Sequence, residues 1–249
     1  MSMTSVTEWS SEATPLFKAR LAGVFYLLTF ITGFFSLFAA GRFIVSGDAA
    51  ATASNILANE TSFRWGLTAN LLATVCYVGV TALFYELFKP VNRSVSLLAA
   101  FASLVGCAVG GLSALFQLAP LAILGRGTSL SAFKTDQLQA LAIVFLKLNT
   151  QTTILSLVFF GCYCLLIGYL VFRSNFLPRV LGVLMAIGGV GWLTGSFASL
   201  LSPPLANALS PYILAPGILG EGALTMWLLL VGVNPERWKE QAAAARRGD

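Results

Sequence analysis

The chain is expected to fold as an all-α, polytopic transmembrane helix bundle of six spans, with short amphipathic helices in the outer loops. Three observations predict this. Hydrophobic residues make up 57% of the chain and charged residues only 10%, against roughly 25% charged in a soluble domain. The apolar residues fall in blocks long enough to supply the ~20 helical residues that a ~30 Å hydrocarbon layer demands. No succession of ~10-residue segments alternating in polarity, the mark of a transmembrane barrel, is present.

The six blocks are 21–40, 66–88, 95–124, 150–172, 180–201 and 213–233. Lys18 and Arg20 precede the first and Ala39-Ala40 follow it, as in a secretory signal. Its apolar run exceeds the ~7–15 residues of a signal core and more spans follow, so it reads as span one. Residues 1–17 lack a long apolar run and are expected to form a flexible cytoplasmic tail. Residues 18–234 form the transmembrane domain. Residues 235–249 form a cytoplasmic amphipathic tail, opened by Asn234 as an N-cap with Pro235 at the first helical position.

The connections divide by length. Turns 89–94 and 173–179 are short and contain Pro90 and Pro178, as tight hairpins do. The outer loops are longer. Asp48 is placed to cap a short helix over 49–57. Asp136 with Gln139 three residues on forms a capping-box pattern, and Leu138, Leu141, Phe145 and Leu148 then mark one helical face. A helix from 136 to 172 would be ~55 Å long at ~1.5 Å per residue, more than a bilayer needs. It is therefore expected to protrude, tilt or bend near Asn149. Two helices lying on the outer leaflet are the preferred reading of these loops, and a partial lid over a cavity is the other.

Basic residues set the orientation. One side carries Lys18, Arg20, Lys89, Arg93, Arg173, Arg179, Arg237, Lys239, Arg246 and Arg247, and the other Arg42, Arg64, Arg126, Lys134 and Lys147. The richer side should be cytoplasmic, which places both termini inside. Topology thus accounts for the net charge of +5, with the lipid bilayer as the partner. No nucleic-acid partner is expected, because no folded domain outside the membrane carries a basic face.

Cysteine and glycine bear on packing. Cys76, Cys107, Cys162 and Cys164 all lie inside spans, without redox or zinc spacing, and read as small hydrophobes rather than as disulfides. Gly106-x-x-x-Gly110 and Gly191-x-x-x-Gly195 are expected to permit close helix contacts, within the chain rather than between copies. A shift of 86 residues superposes Cys76-Tyr77 on Cys162-Tyr163 and Arg93 on Arg179, a similarity too thin to establish a repeat.

The chemistry is defined largely by exclusion. The chain has no histidine, which removes histidine metal sites and Ser–His dyads. No phosphate-binding loop, dinucleotide fingerprint or zinc-protease motif is present. Neither a cofactor nor a metal is expected, and an enzyme is not the preferred reading. The one costly group is Glu221, in the middle of span six between Gly220 and Gly222. A carboxylate there must face protein, water or ligand. Around it stands a polar set in the outer halves of the spans: Arg64, Asn70, Gln117, Lys147, Asn149 and Gln151. Arg64 or Lys147 is the expected counter-charge, each long enough to reach inward. Trp192 and Trp227 lie deep enough to line a pocket.

Several stretches together resemble a bacterial family of multi-pass membrane proteins known only as a domain of unknown function. They are Arg20-Leu-Ala-Gly23, Gly47-Asp-Ala-Ala50, Asn55-Ile56-Leu57, Lys89-Pro-Val-Asn-Arg93, Gln137-Leu-Gln-Ala-Leu141, Val158-Phe-Phe-Gly161, Leu177-Pro-Arg-Val-Leu-Gly182, and Gly220-Glu221 running to Trp227-Leu-Leu-Leu230. The resemblance covers nearly the whole chain. It implies six spans in a bacterial inner membrane and no established activity or catalytic residues. Two functional classes follow. The first binds or transports a small molecule, lipid or ion through an outward-facing polar cavity near Glu221. The second is a non-catalytic interaction or regulatory protein in which Glu221 is satisfied internally. An intramembrane enzyme comes third, since a lone carboxylate is a poor active site.

Overall fold

The structure, a computed structural model, describes residues 14–125 and 132–248. Among these the chain forms eight helices and no strand: α1 (Pro15–Gly41), α2 (Ala49–Ala58), α3 (Glu60–Phe88), α4 (Arg93–Leu124), α5 (Thr135–Arg173), α6 (Arg179–Leu201), α7 (Pro203–Leu230) and α8 (Pro235–Gly248). All but α2 and α8 contain a segment long and apolar enough to cross a membrane, six in total. Large apolar side chains stand exposed along them, Phe38 at 74% and Leu201 at 81%, as expected of helices that hydrocarbon surrounds.

Local sequence explains the helix starts and corrects some expectations. The first helix opens at Pro15, inside the expected 1–17 tail, because Thr14 caps it: the Phe17 N–H donates to Thr14 Oγ1 at 3.2 Å. Residues 1–13 of that tail lie outside the described residues, as does Arg126. The Asp48 cap forms as expected, accepting from the Ala51 N–H at 2.8 Å. One face of α2 buries Thr52, Ala53 and Ile56 against protein, and Leu57 is left exposed on another. At the start of α5, Gln137 and not Gln139 supplies a side-chain acceptor, taking the Lys134 N–H at 3.0 Å. The helix then runs on for 39 residues, so the outer-loop helix and span four are one element, as the length from 136 to 172 implied. Its early buried face carries Ala142 and Leu146, whereas Leu148 is exposed.

The chain divides into two compact units. The first takes residues up to 27, 78–104 and 158–249. Its core contains an aromatic run in which Tyr26 meets Phe84 edge-on at 5.9 Å, Phe84 meets Phe88 at 5.5 Å and Phe88 stacks on Phe176 at 5.9 Å. Here α6 acts as a thin slat with two glycine faces. Gly182 and Gly189 meet Gly168 and Gly161 of α5, while Gly188, Gly191 and Gly195 meet Pro216, Gly217 and Ile213 of α7. Backbones this close gain dispersion contacts that hydrocarbon cannot replace. The expected close contacts of Gly191 and Gly195 are present. The companion expectation fails at Gly110, where an added Cβ would meet nothing within 4 Å. Four-residue glycine spacings arise by chance in glycine-rich spans, so spacing alone does not select the contact face.

The second unit comprises residues 28–77 and 105–157. Phe43, Ile56, Phe63, Leu121 and Leu146 form its core, with Phe43 and Phe63 rings 6.0 Å apart. The segment before α2 folds onto that helix, with the Val45 N–H donating to Thr52 Oγ1 at 2.9 Å.

At the end of α7, Gly232 adopts φ +79°, and its N–H donates to the Trp227 carbonyl at 2.8 Å. A side chain there would be strained and would strike Leu16. Asn234 then caps α8, accepting the Glu236 and Arg237 N–H groups at 3.1 Å. The expected amphipathic helix over the C-terminal segment is therefore present from Pro235 to Gly248.

Candidate functional site around Glu221

Glu221 is only 7% exposed, the one buried ionisable carboxyl among the described residues. Three helices of the first unit bring donors to it. Tyr26 of α1 donates its O–H to Oε2 at 2.5 Å, and Trp192 of α6 donates its indole N–H to Oε1 at 2.7 Å. Cys164 of α5 presents its thiol to the same carboxyl within hydrogen-bonding reach. Uncharged donors thus reach both oxygens and fix where they sit. Buried polar groups require such partners, since an unmade bond costs ~1–3 kcal/mol.

The glycines flanking the site explain its shape. An added Cβ at Gly217 would overlap the Trp192 indole, so the missing side chain is the space in which that ring lies. Gly220 lets α7 press against the Leu184 carbonyl of α6. One continuous helix, α7, carries both Pro216-Gly217 and Gly220-Glu221-Gly222. Thr225 Oγ1 donates to the Glu221 carbonyl at 2.7 Å.

The other six residues of the expected polar set belong to the second unit. There Arg64 is exposed and pairs with Glu60 at 2.7 Å. Lys147 and Gln151 are exposed, and Asn70 is half-buried. Asn149 donates its side-chain amide to the Ser113 carbonyl at 2.8 Å. Gln117, one turn after Ser113 on α4, is 3% exposed, and its amide nitrogen has no partner among the described residues. The structure therefore draws Asn149 to α4 near Gln117, and it ties Arg64 to its own helix.

Sequence reasoning placed Glu221 and marked Trp192 as deep, but missed Tyr26 and Cys164. Tyr26 had a readable signal: a phenol in mid-span must find a partner when buried. Cys164 had none, because a cysteine beside a carboxyl and one beside leucine look alike in a single span. Elsewhere Glu86 pairs with Lys89 at 2.8 Å and meets Lys18 at 3.5 Å. All four cysteines are free. Among the described residues no group of three potential metal ligands occurs.

Fold and site together define a multi-pass helical membrane protein with a buried, hydrogen-bonded carboxyl inside its bundle. The chain belongs to the family described as a domain of unknown function (DUF4386), whose profile matches residues 21–232. No curated protein and no solved structure matches it.

Proposed function

We propose that the protein is an inner-membrane binding or transport protein whose working group is Glu221, taking up a proton or an organic cation. The observation that carries this reading is the carboxyl itself, buried in mid-helix with Tyr26 and Trp192 donating to its two oxygens. An intramembrane carboxyl is a costly group whose usual use is to hold a proton or another cation. Tyrosine and tryptophan beside it add the aromatic surface that recognises organic cations. The cation is a proton in the simplest case, and a lipophilic organic cation competing with it in the fuller one.

Equilibrium dialysis of labelled tetraphenylphosphonium against the purified protein in detergent tests this. Wild type should show saturable binding that strengthens as pH rises, and Glu221→Gln should lose it while remaining folded. Equal binding by both proteins would refute the reading.

A second reading has its own support. Both oxygens of Glu221 already have donors, and glycine seams on either side of α6 bring backbones into contact. On this view the protein engages a partner, Glu221 is structural, and Glu221→Gln changes no binding. We read neither version as an enzyme, since the chain lacks histidine, the commonest general base.

The orientation we propose places both termini in the cytoplasm, on the strength of the ten-to-five basic asymmetry. In a background without the native cysteines, Ser131→Cys should react with an impermeant maleimide added to intact cells. Ala243→Cys should react only after permeabilisation, and its labelling from outside would reverse the topology.

A further inference from the structure

We propose that α8 carries a binding site for the headgroup of an anionic phospholipid. This inference is independent of the Glu221 reading. Two faces of α8 have different tasks. One docks the helix: the Trp238 indole N–H donates to the Leu87 carbonyl at the end of α3 at 2.8 Å, and Gln241 accepts the Asn175 N–H at 3.1 Å. Arg237, one turn before Gln241, reaches the Asn175 carbonyl at 3.5 Å. The adjacent face is an open groove lined by Trp238, Lys239, Ala242, Ala243, Arg246 and Arg247. Positions 239, 242, 243 and 246 follow helical spacing, so the stripe is continuous.

Charge and shape select the occupant. Three cations line the groove, and the acidic residues of α8, Glu236 and Glu240, lie outside its lining. Alanines make a low floor between the basic side chains. Arginine forks match phosphate oxygens in pairs, and lysine adds a point charge. A lipid rather than a soluble anion fits because α8 follows α7 after only four residues, 231–234, and is tied at Trp238 to the end of another spanning helix. That tether holds the groove at headgroup depth. Near an anionic leaflet each such residue adds to the attraction.

The test adds phosphatidylglycerol or phosphatidylcholine of matched chain length to the purified full chain in detergent. Thermal melting and lipid retention in native mass spectra are then read. Phosphatidylglycerol should raise the melting temperature and be retained, while phosphatidylcholine does neither. The triple variant Lys239→Gln/Arg246→Gln/Arg247→Gln should keep the lipid-free melting temperature, because all three side chains are exposed. It should lose the lipid increment and retain phosphatidylglycerol on the order of a hundredfold less. Lys147→Gln, which removes an exposed charge elsewhere, should behave as wild type. Equal retention by wild type and the triple variant overturns the proposal, as does an equal effect of Lys147→Gln. It is likewise overturned if phosphatidylcholine matches phosphatidylglycerol, or if inorganic phosphate reproduces the increment, which would assign the groove to a free anion.

Discussion

Gly182→Ala should be among the most damaging substitutions of a single methyl group in the bundle. The added Cβ would lie 2.6 Å from the Gly168 carbonyl oxygen and 2.7 Å from the Phe172 nitrogen. Both are backbone atoms, so no rotamer change relieves the clash, and α5 and α6 must separate. Overpacking of this kind costs ~1–3 kcal/mol, occasionally more. The matching loss is a melting temperature lower by several degrees in detergent, read by size-exclusion melting. Gly110→Ala provides the contrast. Its Cβ would enter open space, so any effect should stay within ~0.5 kcal/mol apart from helix propensity. Equal melting temperatures for the two variants would mean that the glycine seam contributes nothing.

The second large effect is expected at Gly217, where alanine would occupy the space of the Trp192 indole. Displacing that ring breaks its 2.7 Å bond to Glu221. A bond to a charged partner is worth ~1.5–3 kcal/mol. Trp192→Phe removes the same N–H without adding bulk at Gly217. Both variants should therefore weaken tetraphenylphosphonium binding by a similar factor, with Gly217→Ala also lowering stability. If Gly217→Ala weakens binding while Trp192→Phe leaves it intact, the indole N–H has no part in the site.

The legible and illegible parts of this protein differ for physical reasons. Spans were legible because hydrocarbon imposes one requirement on length and polarity along the chain, and all six sequence blocks overlap spanning helices. Boundaries were less so: Thr14-Pro15 is a good helix start, but the absence of an apolar run before it masked the signal. The α5 face was misread only at its end, where Leu148 is exposed and Leu146, two residues earlier, is buried. Lipid tolerates apolar residues outside as readily as protein does inside, so periodicity loses its power to choose. The same ambiguity hid the strongest seam. Gly161 and Gly168 on α5 and Gly182 and Gly189 on α6 are each seven apart, an antiparallel match visible only once the pairing is known. Glu221 was legible because its cost in a membrane is high wherever it points. Its donors were not, because hydrogen bonds between Tyr26, Trp192 and Glu221 join residues 195 and 29 positions apart.

The central claim is that Glu221 exchanges a proton or cation instead of serving as fixed structure. Infrared difference spectra across the pH range in which the protein stays folded test it directly, read at the C=O stretch of a protonated carboxyl. Wild type should show a band that grows as pH falls, absent from Glu221→Gln and shifted in frequency in Trp192→Phe. A Glu221 signal that stays constant over that whole range would contradict the account.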